Sequence, residues 1–267
     1  MRKNSLFWGL VLVVLGGLFL LSNLGILRVN VWGMLVPALL ILLGVWIIVG
    51  VTRKPSLLQV ETASVDLEGI KKVSLTLHHG AGKLVLRSDS AIAGAITGNF
   101  SGGLEVKRTI DGAGARVELQ PRKQSNPMWP FPWSTDGRGF DWDMVLGTDA
   151  SYILDFQTGA DDANIDLTGL RVSEFRLQTG ASSTRVILPE SAGYTRVKFE
   201  GGAADAKFIV PGGVAAQIHS QSGVSSIVID QTRFPFVEGV YRSPNYEVAE
   251  NKVDIEIQMG AGAVRVS

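Results

Sequence analysis

The residues able to do chemistry in this chain are few and scattered. Its three histidines are His78, His79 and His219, and it has no cysteine. Two histidines are adjacent and the third is far along the chain, which is no spacing for a catalytic or metal-binding set. In Val73-Ser74-Leu75-Thr76-Leu77-His78 the apolar residues alternate with polar ones, so His78 falls on the solvent face, and Ile218-His219-Ser220 places His219 likewise. Without cysteine there is no disulfide, zinc-thiolate site, iron–sulfur ligation or thiol nucleophile. Gly180-Ala181-Ser182-Ser183 and Gly223-Val224-Ser225-Ser226 lack the second glycine of a nucleophile elbow.

Gly80-Ala81-Gly82 and Gly112-Ala113-Gly114 begin like a dinucleotide fingerprint but lead into strand-like sequence, with no helix N-terminus to hold a phosphate. Asp136, Asp141, Asp143, Asp161 and Asp162 gather in two acidic stretches whose spacing matches no calcium loop, and they read as solvated turn acids. An enzyme acting on a lipid or glycan would need Asp141, Asp143, Asp161 and Asp162 to converge in the fold. The expectation is a non-enzymatic protein without metal or cofactor.

With 46% hydrophobic and only 19% charged residues, the chain carries more apolar mass than a soluble domain needs, and the excess is local. Leu6–Leu21 is uninterrupted and continues to Leu27, and Val31–Val51 is a second uncharged run. Twenty-one helical residues rise about 31 Å, the thickness of a bilayer's hydrocarbon core. Residues 1–54 are therefore expected to form a transmembrane hairpin with spans at about 6–27 and 31–51, turned by Asn23, Gly25 and Asn30. A cleaved signal peptide would also begin with Arg2-Lys3 and an apolar run, but no small-x-small site follows.

Arg2 and Lys3 precede the first span, Arg53 and Lys54 follow the second, and the loop between holds only Arg28, so both ends should be cytoplasmic. Residues 1–54 contain no acid. Of 25 basic and 25 acidic residues, 20 basic and all 25 acidic ones thus lie beyond Lys54. That net acidic remainder argues against nucleic acid as a partner.

From Pro55 to Ser267 short alternating segments are punctuated by glycine. Thr158-Gly159-Ala160, Thr179-Gly180-Ala181, Gly201-Gly202-Ala203 and Ser222-Gly223-Val224 repeat at spacings of 21, 22 and 21 residues, with weaker copies at 79–82, 111–114 and 259–262, seven units in all. Each reads as strand, glycine corner, strand. A unit this short buries its apolar face only against its neighbours, so an all-β, β-solenoid-like stack of about 21-residue coils is expected; a β-sandwich with regular spacing is the alternative. The glycine would supply positive φ or close backbone approach, and the alanine after it would sit inside the turn. The last copy, at 259–262, would leave an end of the stack open to self-association.

Two inserts break the repeat, at about 122–145 and 231–246. The first holds Trp129, Phe131, Trp133, Phe140 and Trp142 among prolines and reads as something other than a central strand. These rings either pack on their own domain or offer a surface to a partner or membrane.

Trp8-Gly9, Leu15-Gly16-Gly17, Leu21-Ser22-Asn23-Leu24-Gly25 and the run Trp32-Gly33-Met34-Leu35-Val36-Pro37 through Gly44 resemble the LiaI/LiaF-like transmembrane region of bacterial envelope-stress proteins. The glycine-cornered repeat resembles the toast-rack, or adhesin-type, β-repeat domain that often follows such a hairpin. The resemblance implies a multi-pass bacterial inner-membrane protein that senses or modulates the response to envelope damage, with a membrane histidine kinase or another envelope-stress protein as partner. LiaF-type proteins commonly have four spans, whereas this chain has two. An extracytoplasmic adhesion or scaffold module is the competing reading, and needs the opposite topology.

Overall fold

The computed structural model describes residues 60–92, 95–122 and 141–267, all within the unit Ser56–Ser267. Both apolar runs, and Trp129, Phe131, Trp133 and Phe140, lie outside the described residues. Among the described residues no helix is long and apolar enough to cross a membrane.

The described residues form one 13-stranded sheet. Its body is six long strands, β2 (Lys72–Asp89), β7 (Ser151–Asp166), β8 (Arg171–Ile187), β9 (Tyr194–Ile209), β10 (Ala215–Ile229) and β13 (Lys252–Val266), stacked in parallel in the order β2, β7, β8, β9, β13, β10. Each is one coil: a first arm, a bend at the corner glycine and a second arm. The two short strands expected per unit are thus one continuous strand. The alternation sets the faces. Phe175 and Leu177, and Val253, Ile255 and Ile257, point inward with at most 1% exposure, while Arg176, Gln178, Asp254 and Glu256 point outward. Beyond the corner Ile165, Val186, Phe208 and Val264 do the same for the second arm, and Leu167, Leu170, Leu188, Val210 and Val214 in the return turns complete one continuous core.

The corner glycines serve close approach. A Cβ on Gly180 would stand 2.8 Å from the Gly159 carbonyl oxygen, one on Gly202 2.8 Å from that of Gly180, and one on Gly260 2.7 Å from that of Gly202. The column therefore excludes side chains so that successive coils can hydrogen-bond through the bend. None of these three has positive φ; Gly82 and Gly262, two residues past their own corners, do. The alanines at 160, 181, 203 and 261 point outward and are exposed, because the bend turns two successive residues away from the core.

Three further expectations from the sequence are corrected. The 111–114 copy is no coil: Gly112 and Ala113 form the two-residue turn between the antiparallel strands β4 (Leu104–Asp111) and β5 (Gly114–Pro121), with Gly112 at φ 58°. Six coils remain. The C-terminal strand β13 lies between β9 and β10, so the last coil in space is β10. Finally, Trp142 belongs to a strand inside the sheet, β6 (Trp142–Gly147), paired with β2 on one side and with β3 (Ala95–Ser101) on the other.

At the first end of the stack β5 covers the first arm of β2, while β6, β3 and β1 (Val60–Asp66) continue from its second arm. At the other end Gln217 and Ile218 of β10 pair with β12 (Val240–Arg242), itself paired with β11 (Phe236–Val237).

Candidate partner-binding surface

Of the five aromatics that either pack on their own domain or offer a candidate partner surface, Trp142 is described, and it is 1% exposed. Its ring makes an edge contact with Phe100, centroids 5.1 Å apart, and a tilted one with His79 at 5.4 Å. Trp142 is therefore a core residue. A strand begun at Trp142 inherits the alternation of its neighbours, and Met144 and Leu146 share the inward face. In the second insert Phe234 is fully buried, whereas Phe236 is exposed and makes a tilted ring contact with Tyr241, centroids 4.8 Å apart.

His78 and His219 lie on the outer face, as their alternation predicts, 3.8 Å from Glu118 and 3.9 Å from Asp254 respectively. The four carboxylates that a reaction would have to gather take different positions. Asp141 accepts a hydrogen bond from the Lys83 backbone N–H at 2.9 Å. Asp143 is held by Arg87 Nη2 at 2.7 Å on the outer face. Asp162 is exposed. Asp161, read from sequence as a solvated turn acid, is 7% exposed and accepts hydrogen bonds from the hydroxyls of Thr158, at 2.9 Å, and Thr179, at 3.3 Å. Burial raises its pKa, against the lowering influence of those hydroxyls and of His79. Among the described residues no three histidine, aspartate or glutamate side chains are placed to hold a metal ion.

The two outward faces of the coils differ in how they treat charge. On the first arms acids and bases interleave, Arg196 standing between Glu174 and Asp254 in register, and some of them pair. Lys198 Nζ lies 2.7 Å from Glu200, Arg176 lies 3.5 Å from Glu174, and Gln178 donates to Glu200 at 2.9 Å. The contact with Glu200 raises the pKa of Lys198, and the same contact lowers that of Glu200. These groups are half-buried at the surface, where solvent still screens them, so the pairs add little stability.

The second arms carry a different pattern. Arg185, Lys207 and Arg265 occupy one register row, Arg185 opposite Lys207 and Lys207 opposite Arg265. Arg185 and Arg265 are exposed and Lys207 is half-buried, and none of the three forms an ion pair or side-chain hydrogen bond among the described residues. Parallel strands stand about 4.8 Å apart, so this is a ladder of three like charges, an arrangement that costs stability where charges are directly opposite. Asn164 and Val228 end the row, and Asp162, Ser183 and Asp205 run beside it, all along a shallow groove of about 650 Å³. The sequence does carry a sign of the ladder: its members stand five residues beyond their corner glycines, at 180, 202 and 260.

Residues 54–209 match the family described as the N-terminal domain of toast_rack, and residues 6–48 match the LiaI-LiaF-like transmembrane region. No curated protein matches the chain. Among solved structures, that of a candidate cell adhesion protein from Clostridium sporogenes ATCC 15579 has a TM-score of 0.67 at 19% identity, covering 78% of this chain and 98% of that one, which shows a shared fold. A candidate adhesin from Bacteroides fragilis NCTC 9343 covers 78% of this chain and 97% of its own, with 6% identity and a TM-score of 0.32, too low to bear on the fold. Since the first match takes in more than half of the chain, the protein belongs to the toast-rack family, as a membrane-anchored β-repeat protein with a LiaI-LiaF-like transmembrane region ahead of its β-domain.

Proposed function

We propose that this protein is a non-enzymatic binding module that senses or modulates a bacterial envelope-stress response through protein contacts, with its β-domain in the cytoplasm. The observation that carries a binding role is the ladder of Arg185, Lys207 and Arg265, in register and without an ion pair among the described residues, on a domain whose first arms interleave acids with bases. The charges flanking the apolar runs support the orientation. The partner is a membrane histidine kinase, another envelope-stress protein or a second copy of the chain. Trp129, Phe131, Trp133 and Phe140 are a second candidate contact.

The test is removal of residues 60–267 in cells carrying a stress-promoter reporter, challenged with a cell-wall antibiotic. The proposal expects a changed threshold or amplitude of the response, and an unaltered dose curve contradicts it. Alanine at the four insert aromatics should reduce recovery of cross-linked protein, and unchanged recovery removes the insert from the contact.

A second reading, an extracytoplasmic adhesion or scaffold module, draws support from the fold shared with the candidate cell adhesion protein. It requires the opposite topology, so locating the C-terminus separates the two.

A further inference from the structure

The geometry points to the occupant of the ladder groove: a partner's amphipathic α-helix bearing a stripe of carboxylates, laid across the coils so that successive acids meet Arg185, Lys207 and Arg265. This deepens the proposed protein-contact role and rests on that reading.

Spacing and charge sign select this occupant. Two strand intervals set the outer cations of the ladder about 9.6 Å apart. On a helix, side chains at i, i+3 or i+4, and i+7 share a face, and i to i+7 rises about 10.5 Å, a close match over three contacts. In an extended chain, same-face side chains repeat at about 6.6–6.8 Å, so three of them span about 13 Å and slip out of register by the third.

The row beside the ladder discriminates further. Asp162 and Asp205 lie along one side, with Ser183 between them and Ala263 beyond, and Lys83 stands on the far side of Asp162 at the end of the row. A flat anionic bilayer or a dense polyanion would meet those carboxylates together with the cations. A helix acidic on one stripe and basic on the flank that meets Asp162 and Asp205 fits both rows along the groove. The unpaired cations are thereby explained: they repel one another in the isolated domain and are neutralised on docking.

The test uses the full chain in nanodiscs of zwitterionic lipid and three fluorescent probes. One is an alanine-rich helical peptide of about 20 residues with glutamates at i, i+4, i+7 and i+11 and lysines on the adjoining flank. The second has the same composition with the acids spread around the helix, and the third is polygalacturonate. The inference expects anisotropy to show salt-sensitive binding of the striped peptide at least tenfold tighter than of the other two. It also expects loss of that binding in Arg185→Glu/Lys207→Glu/Arg265→Glu, with recovery toward a peptide whose stripe is lysine. Should the triple variant fold poorly, Lys207→Gln should weaken binding severalfold with its unfolding midpoint unchanged or raised.

Equal binding of all three probes would make the ladder a general anion surface and overturn the helix, as would no binding at all. A chain that still cross-links to its partner in cells but ignores the striped peptide loses this docking mode alone. One that binds the peptide but leaves the stress response unaltered when deleted keeps the docking mode and loses the stress reading.

Discussion

Lys207 stands directly across the sheet from Arg265, one strand spacing away, and Arg185 faces Lys207 from the other side. The middle charge of three is repelled from both sides. Replacing Lys207 with glutamine should therefore stabilise the isolated domain by about 0.2–1 kcal/mol at low ionic strength, with the gain shrinking as salt is added. Urea unfolding at two salt concentrations reads this out. A variant less stable than the parent at low salt would mean that the lysine's packing outweighs its charge.

The glycine column predicts a sharp contrast between chemically equal substitutions. Gly180→Ala or Gly202→Ala places a methyl 2.8 Å from the carbonyl of the preceding coil and should cost about 1–3 kcal/mol, because both backbones are tied into the same sheet. Gly212 has nothing within 4 Å of the added carbon and no positive φ, so Gly212→Ala should leave stability unchanged or slightly higher. Thermal unfolding of the full chain in detergent would show the ranking.

Trp142 should behave as a core residue in spite of its place beside an aromatic insert. Trp142→Ala is expected to cost about 3–5 kcal/mol. Trp142→Phe should cost clearly less, because the indole Nε1 is buried without an acceptor among the described residues and its loss breaks no hydrogen bond there. Equal losses in the two variants would show that the indole N–H contributes to stability.

Asp161 makes stability depend on pH. Its pKa is raised by burial, so the folded protein holds the proton more tightly than the unfolded chain does. That contribution is complete below the unfolded carboxylate value, about 3.9, and is lost as pH rises through the folded value. At pH 7 the buried charge is a cost. Asp161→Asn should then raise the unfolding midpoint at pH 7, and the gap should close toward pH 4. A gap that widens in acid would reverse the assigned shift.

Period-two alternation and the 21-residue glycine repeat made the stacked coils legible in the sequence, since both follow from local chain geometry. Position in the stack was not legible. Chain order sets Val228 between Lys207 and Arg265 in the run of equivalent positions, and only the insertion of β13 between β9 and β10 brings the two cations together. Asp161 was misread for a related reason: strict alternation from Gln157 does not show that the corner turns Gly159 and Ala160 outward in succession, which returns Asp161 to the core. Trp142 was misread because composition, taken over the whole insert, hid a strand of six residues at its end.

The central claim, a membrane-anchored module meeting its partner in the cytoplasm, is tested most directly by topology. Reporters active only in the cytoplasm or only outside it would be fused after Ser267, with a control in the loop near Arg28. The account predicts that the Ser267 fusion is active in the cytoplasm and the loop fusion outside. Activity of the Ser267 fusion outside alone would contradict it and make the adhesion reading the leading one.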